Sequence, residues 1–299
     1  MNPVRHLLEV DDLTAAELAT VLDLSADPAP SQALEGKGMA LLFEKPSART
    51  RNSMEMAVVQ LGGHPVSITG GEVGIDQRES AEDITRTLAC YHAAIGARVF
   101  DHTVVERMAS VSPVPVVNML SDQAHPLQAL ADILTVKQVF GEMSGCRIAY
   151  VGDPNNMARS LGIAAGLAGA EFVIASPAGY RFDSVDLNRI ASTGREAQVV
   201  DDPVRAVDGA HVVYTDVWVS MGQEAETDEK VDAFAPYTVD ERLMSRAAPD
   251  AIFLHCLPAR LGLEVTEEVL YGPQSRIWQQ AENRMHAARG LLTFLLGAP

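Results

Sequence analysis

Basic residues are scarce in this chain: 23 lysines and arginines face 40 aspartates and glutamates, for a net charge of -17. A surface that acidic repels phosphate backbones and anionic lipid, so neither a nucleic-acid nor a membrane partner fits. A local basic pocket can still override that field for a small anion. Cysteine is equally sparse. Cys90, Cys146 and Cys256 are widely spaced and odd in number, with no CxxC pair and no zinc-ligand spacing. A reduced, cytoplasmic compartment fits that usage. No uninterrupted apolar stretch reaches the roughly 20 residues of a membrane span. The opening MNPVRHLLEVDDL places acids straight after a very short apolar run, which is not a signal peptide. Internal repeats and low-complexity segments are missing too.

What remains is an ordinary globular composition, 47% hydrophobic and 21% charged over 299 residues. At roughly 100–200 residues per domain, two domains are expected. Short apolar runs bounded by turns predict strands at 39–43, 65–69, 94–100, 114–118, 147–152, 171–175, 211–215 and 251–255. Longer amphipathic stretches predict helices at 51–61, 80–92, 127–140, 156–168 and 278–296. Thr14 with Glu17 reads as a capping box opening an early helix. Strands alternating with helices predict an α/β fold with parallel sheets. The GEMSG segment at 141–145 is the best breakpoint, dividing the chain into 1–140 and 141–279. In open parallel sheets ligands bind at the carboxyl ends of strands, so function should sit in the loops that follow them.

Five clusters lie in such places. Phe43-Glu44-Lys45-Pro46-Ser47-Ala48-Arg49-Thr50-Arg51 leaves a strand and enters a helix, whose free N–H groups and dipole favour an anion. Ser47 and Thr50 add hydroxyls, and Arg49 adds a fork suited to phosphate oxygens. The plain alternative is a capped helix with surface arginines. His125-Pro126-Leu127-Gln128 opens another helix, with His125 and Gln128 one turn apart on one face. That pair suits a carbonyl oxygen and an amide nitrogen; alone, His125 reads as a helix-start histidine bonded to backbone. Asp216 and Ser220, in DVWVSMGQE, suit an ammonium group, or else form an acidic surface loop. Cys256, in His255-Cys256-Leu257-Pro258, would otherwise be a small buried hydrophobe. Arg284, in QAENR, would otherwise be a solvated helix residue.

Taken in order, FEKPSARTR, HPLQALADIL, VGDPNNMARS, TDVWVSMGQE, HCLPA and QAENRMHA span essentially the whole chain. They resemble the aspartate/ornithine carbamoyltransferase family, and the SMG and HCLP segments resemble its ornithine-using branch. The resemblance implies two parallel-sheet α/β domains with the active site in the cleft between them. It implies that the final helix, about 280–299, rejoins the first domain. It also implies a homotrimer or a multiple of trimers. The implied activity is a transferase: carbamoyl transfer from carbamoyl phosphate to the δ-amino group of L-ornithine, giving L-citrulline and phosphate in arginine biosynthesis.

By that resemblance Ser47, Ala48 (through its N–H), Arg49 and Thr50 hold carbamoyl phosphate, joined by Arg98, His125, Gln128, Cys256, Leu257 and Arg284. Arg98, His125, Asp216 and Cys256 would act in catalysis. Asn156, Asp216, Ser220 and Met221 would bind ornithine. No metal or organic cofactor is implied, and no ligand cluster suggests one. Three departures from the family pattern stand out: Ala48 in place of threonine, Gly74 in place of glutamine, and Arg260-Leu261-Gly262-Leu263 in place of His-Arg-Gly-Glu. A carbamoyltransferase for putrescine or an N-acylornithine is one competing expectation, and a non-catalytic relative another. A nicotinamide enzyme is disfavoured because VGDPNN lacks the GxGxxG spacing.

Overall fold

The runs MALLF and AIGAR are apolar on both faces, which suits central strands of a parallel sheet covered by helices on each side. In the computed structural model, which describes residues 4–219 and 227–297, they form β1 (Gly38–Phe43) and β3 (Ala94–Arg98). The half-exposed β2 (His64–Thr69) lies at one edge and β4 (Val116–Leu120) at the other, in the parallel order β2-β1-β3-β4. The helices are α1 (Ala15–Ala26) before β1, α2 (Ala48–Gln60), α3 (Gly70–Val73), α4 (Ala81–Ala89) and α5 (His102–Val111) between the strands, and α6 (Pro126–Phe140) after β4. Side chains cap most of the starts: Thr14 with Glu17 for α1, Ser47 for α2, Ser80 for α4 and Asp101 for α5. Leu42, Ile95, Val105, Met108 and Val116 pack in the core, each burial worth about 1.5–3 kcal/mol. The amino-terminal segment lies along the free side of β4. The Leu7 N–H donates to the Val116 carbonyl at 2.9 Å, and the Asn118 N–H donates to the Leu7 carbonyl at 2.8 Å.

A second parallel sheet has the order β7-β6-β5-β8-β9. Its strands are β5 (Arg147–Val151), β6 (Glu171–Ala175), β7 (Gln198–Val200), β8 (Val212–Thr215) and β9 (Ile252–His255). Around it run α7 (Asn156–Ala168), α8 (Ser184–Ser192), α9 (Pro203–Val207), α10 (Thr227–Phe234), α11 (Glu241–Met244) and α12 (Glu267–Leu270); α13 (Ile277–Leu295) follows, most of it belonging to the first unit. Val151, Val173, Val213, Phe234 and Phe253 belong to its core. By compactness, Met1–Leu134 with Ala281–Pro299 form one unit and Thr135–Gln280 the other. No helix among the described residues is long and apolar enough to cross a membrane.

Both strand orders reverse direction once, between β1 and β3 and between β5 and β8. Crevices beyond the carboxyl ends of strands at such switch points are where open α/β sheets bind ligands. The register aligns the chain there. Phe43 pairs with Arg98 and Arg98 with Leu120, so the loops leaving β1, β3 and β4 start level. Likewise Tyr150 pairs with Tyr214, and Thr215 with His255.

Candidate active site

The first site is built at the β1/β3 switch point. Ser47 is extended, caps α2 and accepts the Thr50 N–H on its Oγ at 3.3 Å. Thr50 is thereby turned inward and buried. Its Oγ1 accepts from Arg98 Nη1 and from Arg284 Nη2, each at 3.3 Å. Both arginines are almost fully buried. Arg284 Nη1 also donates to Gln128 Oε1 at 2.5 Å, and Gln128 Nε2 donates to Asp132 Oδ1 at 2.8 Å. The Gln128 amide is therefore fixed with its oxygen toward the guanidinium. Arg49 and Ala48, by contrast, are exposed on the first turn of α2.

His125 reaches the same place from the β4–α6 loop. The Ser121 N–H donates to the Ala124 carbonyl at 2.9 Å, and Ser121 Oγ accepts the Ala124 N–H at 3.2 Å. That tight turn delivers His125 to the start of α6, where its carbonyl accepts the N–H groups of Gln128 and Ala129. Burial, then the charges of Arg284, Arg98 and Arg49, hold the His125 imidazole well below its usual pKa. At neutral pH it is an uncharged N–H donor. The assembly can grip an anion with two buried forks and offer neutral donors to a carbonyl oxygen.

The second site lies at the β5/β8 switch point. Asp216 follows β8 and is buried. Its Oδ2 accepts from Asn155 Nδ2 at 2.9 Å, and its Oδ1 accepts from Cys256 Sγ at 3.0 Å. Asn155 caps α7: its Oδ1 accepts the N–H groups of Met157 and Ala158 at 2.9 and 3.1 Å. Its amide can therefore present only its nitrogen to Asp216. Asn156, the first residue of α7, is half-buried beside it. Leu257 adopts a left-handed conformation, φ 60°. Ser220 and Met221 lie outside the described residues. A carboxylate held by only two donors keeps lone pairs open, which suits an ammonium group.

The expectation that no metal-ligand cluster exists is corrected here: ligand atoms of Asp216, His255 and Cys256 lie within 4.8 Å of one another. Their separation along the chain concealed it. The histidine offers no spare lone pair, however. Its Nδ1 accepts the Leu257 N–H at 2.8 Å, and Nε2 faces Glu264 Oε1 at 3.3 Å.

Sequence reasoning missed Asp132, Asn155 and Glu264. Asp132 follows Gln128 at helical spacing, and Asn155 immediately precedes α7; both signals were present. Glu264 had no local signal. Of the departures, Gly74 is left-handed, φ 59°, and an added Cβ would lie 3.2 Å from Arg78 Cγ, so a glutamine on this backbone would be strained and would push Arg78 aside.

Two family models match the chain. The carbamoyl-P binding domain of aspartate/ornithine carbamoyltransferase matches residues 5–138, and the Asp/Orn binding domain matches 144–295. An ornithine carbamoyltransferase of Acidothermus cellulolyticus is 49% identical, covering 99% of this chain and 97% of that protein. The solved ornithine carbamoyltransferase of Pyrococcus furiosus aligns at TM-score 0.94 with 43% identity, covering 99% and 98% of the two chains. That of Thermus thermophilus aligns at 0.88 with 44% identity, covering 97% and 99%. With both halves matched and identity this high over nearly full length, the chain belongs to the aspartate/ornithine carbamoyltransferase family.

Proposed function

We propose that this chain transfers the carbamoyl group of carbamoyl phosphate to the δ-amino group of L-ornithine, releasing L-citrulline and phosphate. The observation that carries the reading is the convergence of two buried guanidiniums, Arg98 and Arg284, on Thr50 beside a neutral His125. Such a cradle suits a phosphorylated acyl donor. The name of the Pyrococcus furiosus relative, an anabolic ornithine carbamoyltransferase, supports a place in arginine biosynthesis.

Ser47, the Ala48 N–H, Arg49 and Thr50 hold the phosphate, with Arg98 and Arg284 closing the clamp. The carbonyl oxygen gains charge as the amine adds, and Arg98, His125 and Thr50 stabilise it. Gln128 Oε1 accepts from the carbamoyl nitrogen. On the ornithine side Asn156, Asp216, Ser220 and Met221 hold the α-amino and α-carboxylate groups. Cys256 and the Leu257 backbone face the reacting atoms. The δ-amine, with an unperturbed pKa of about 10, must lose its proton before attack. Burial and neighbouring positive charge both favour that loss. Once the C–N bond has formed, the C–O bond to phosphate breaks and the departing phosphate takes the second proton from the same nitrogen, so no cofactor enters the scheme.

The reading extends to a cytoplasmic homotrimer or multiple of trimers, supported by the family resemblance and the sparse, scattered cysteines. The decisive experiment is citrulline formation by the purified chain, with putrescine and N-acetylornithine as rival acceptors. Ornithine should be turned over fastest; faster turnover of putrescine would reassign the acceptor.

A further inference from the structure

Two buried groups take no part in the transfer scheme: His255, which opens the HCLP turn, and Glu264, which packs against it from six residues beyond the turn. Their side chains are 0% and 1% exposed. His255 Nδ1 accepts the N–H of Leu257 at 2.8 Å, so the ring must carry its hydrogen on Nε2. That nitrogen lies 3.3 Å from Glu264 Oε1. The same oxygen accepts the Arg260 N–H at 2.5 Å. The His255 N–H is itself fixed, donating to Gln280 Oε1 at 3.0 Å. Glu264 is in turn anchored through its backbone, whose carbonyl accepts the Val239 N–H at 2.9 Å.

This chain of bonds ends on a strained residue. Leu257, with φ 60°, occupies a region that a branched side chain enters only when its surroundings impose it. Its N–H is committed inward to His255, which leaves the Leu257 carbonyl as what this peptide can offer a substrate.

We infer that His255 and Glu264 are positioning residues: together they lock the Leu257 peptide in its left-handed conformation and so aim its carbonyl at the reacting groups. The inference rests on the carbamoyl-transfer reading. It also accounts for the divergent residues at 260–263. Arg260 contributes only its backbone N–H to the clamp, while Leu261 and Gly262 are exposed outside it. The clamp survives whatever side chains stand between its two ends.

The test compares two polar replacements of similar size in the full-length chain. Asparagine at 255 can accept the N–H two residues on, forming an Asx turn, but is too short to reach Glu264. Glutamine has the reach toward Glu264 but not the short closure to Leu257. His255→Asn, which keeps the bond to Leu257 and loses the one to Glu264, should fall between wild type and His255→Gln in kcat. His255→Gln should lose kcat on the order of 100-fold, the cost of a misplaced reacting group. Carbamoyl phosphate affinity, measured by calorimetry, should fall far less than kcat in His255→Gln, because Thr50, Arg98 and Arg284 still grip the phosphate. Glu264→Gln, which keeps an acceptor oxygen, should exceed Glu264→Leu in kcat. Equal kcat for His255→Asn and His255→Gln would overturn the inference. So would a loss that merely follows melting temperature across all four variants. A wild-type chain that forms no citrulline would instead overturn the reading on which the inference stands.

Discussion

Arg98 and Arg284, from β3 and α13, donate to one and the same atom, the hydroxyl oxygen of Thr50. Two like charges are thereby held together in a buried place, a repulsion that a bound anion relieves. Inorganic phosphate and carbamoyl phosphate should therefore both raise the melting temperature. At 100 times the dissociation constant, the gain is about 2.7 kcal/mol by mass action. Differential scanning fluorimetry against phosphate, with chloride at matched ionic strength, checks this; no shift would contradict an anion cradle.

Losses from the two kinds of arginine should differ. Arg284→Ala removes a buried fork bonded to both Gln128 and Thr50, and should weaken carbamoyl phosphate binding by about 2–5 kcal/mol. Arg284→Lys should recover little, because an ammonium cannot span both partners. Arg49 is exposed and, among the described residues, bonds to no other site residue that fixes its fork, so Arg49→Ala should weaken carbamoyl phosphate binding less than Arg284→Ala does. Calorimetric titration of carbamoyl phosphate into the three variants gives the order directly.

His125 sets a pH dependence whose sign follows from its lowered pKa. In the unfolded chain it binds a proton below about pH 6.5. In the folded protein it stays neutral to a much lower pH. Its contribution to stability is therefore complete above pH 6.5 and is lost as pH falls below that value, by at most about 1.4 kcal/mol per pH unit. Wild type should lose more stability than His125→Asn between pH 6.5 and 5 in urea melts. Turnover should still rise toward alkaline pH, since that limb belongs to the δ-amine.

Asp216 and Asn155 separate charge from orientation. Asp216→Asn removes the negative charge offered to the ornithine ammonium and should abolish ornithine affinity while sparing carbamoyl phosphate binding. Asn155→Ala removes the α7 cap, at about 0.5–2 kcal/mol of stability, and frees the carboxylate. It should raise KM for ornithine while leaving KM for carbamoyl phosphate alone. Steady-state kinetics with each substrate varied in turn distinguish the two.

Much of this was legible without coordinates. The predicted bounds 156–168 and 171–175 coincide with α7 and β6, because Asn155 caps the helix and left-handed Gly169 ends it. The strand predicted at 94–100 stops at Arg98, and the one predicted at 114–118 starts at Val116. β7 was invisible: three half-exposed residues at a sheet edge are too few to show alternation. At the candidate site, the Ser47 cap and Thr50 were readable because they crowd the loop that opens α2. Asp132 and Glu264 were not, because their value lies in what they touch. Nothing in the spacing of Asp216 and Cys256 reveals a thiol donating to a carboxylate; only the pairing of β8 with β9 creates it.

The strap formed by Leu7 has a practical side. A ladder edge left bare is a template for unwanted strand addition. Here β4 is shielded by a stretch that no catalytic argument would defend. Trimming the chain past Leu13 to obtain a tidier expression product would uncover that ladder and invite precipitation, although every active-site side chain would remain in place.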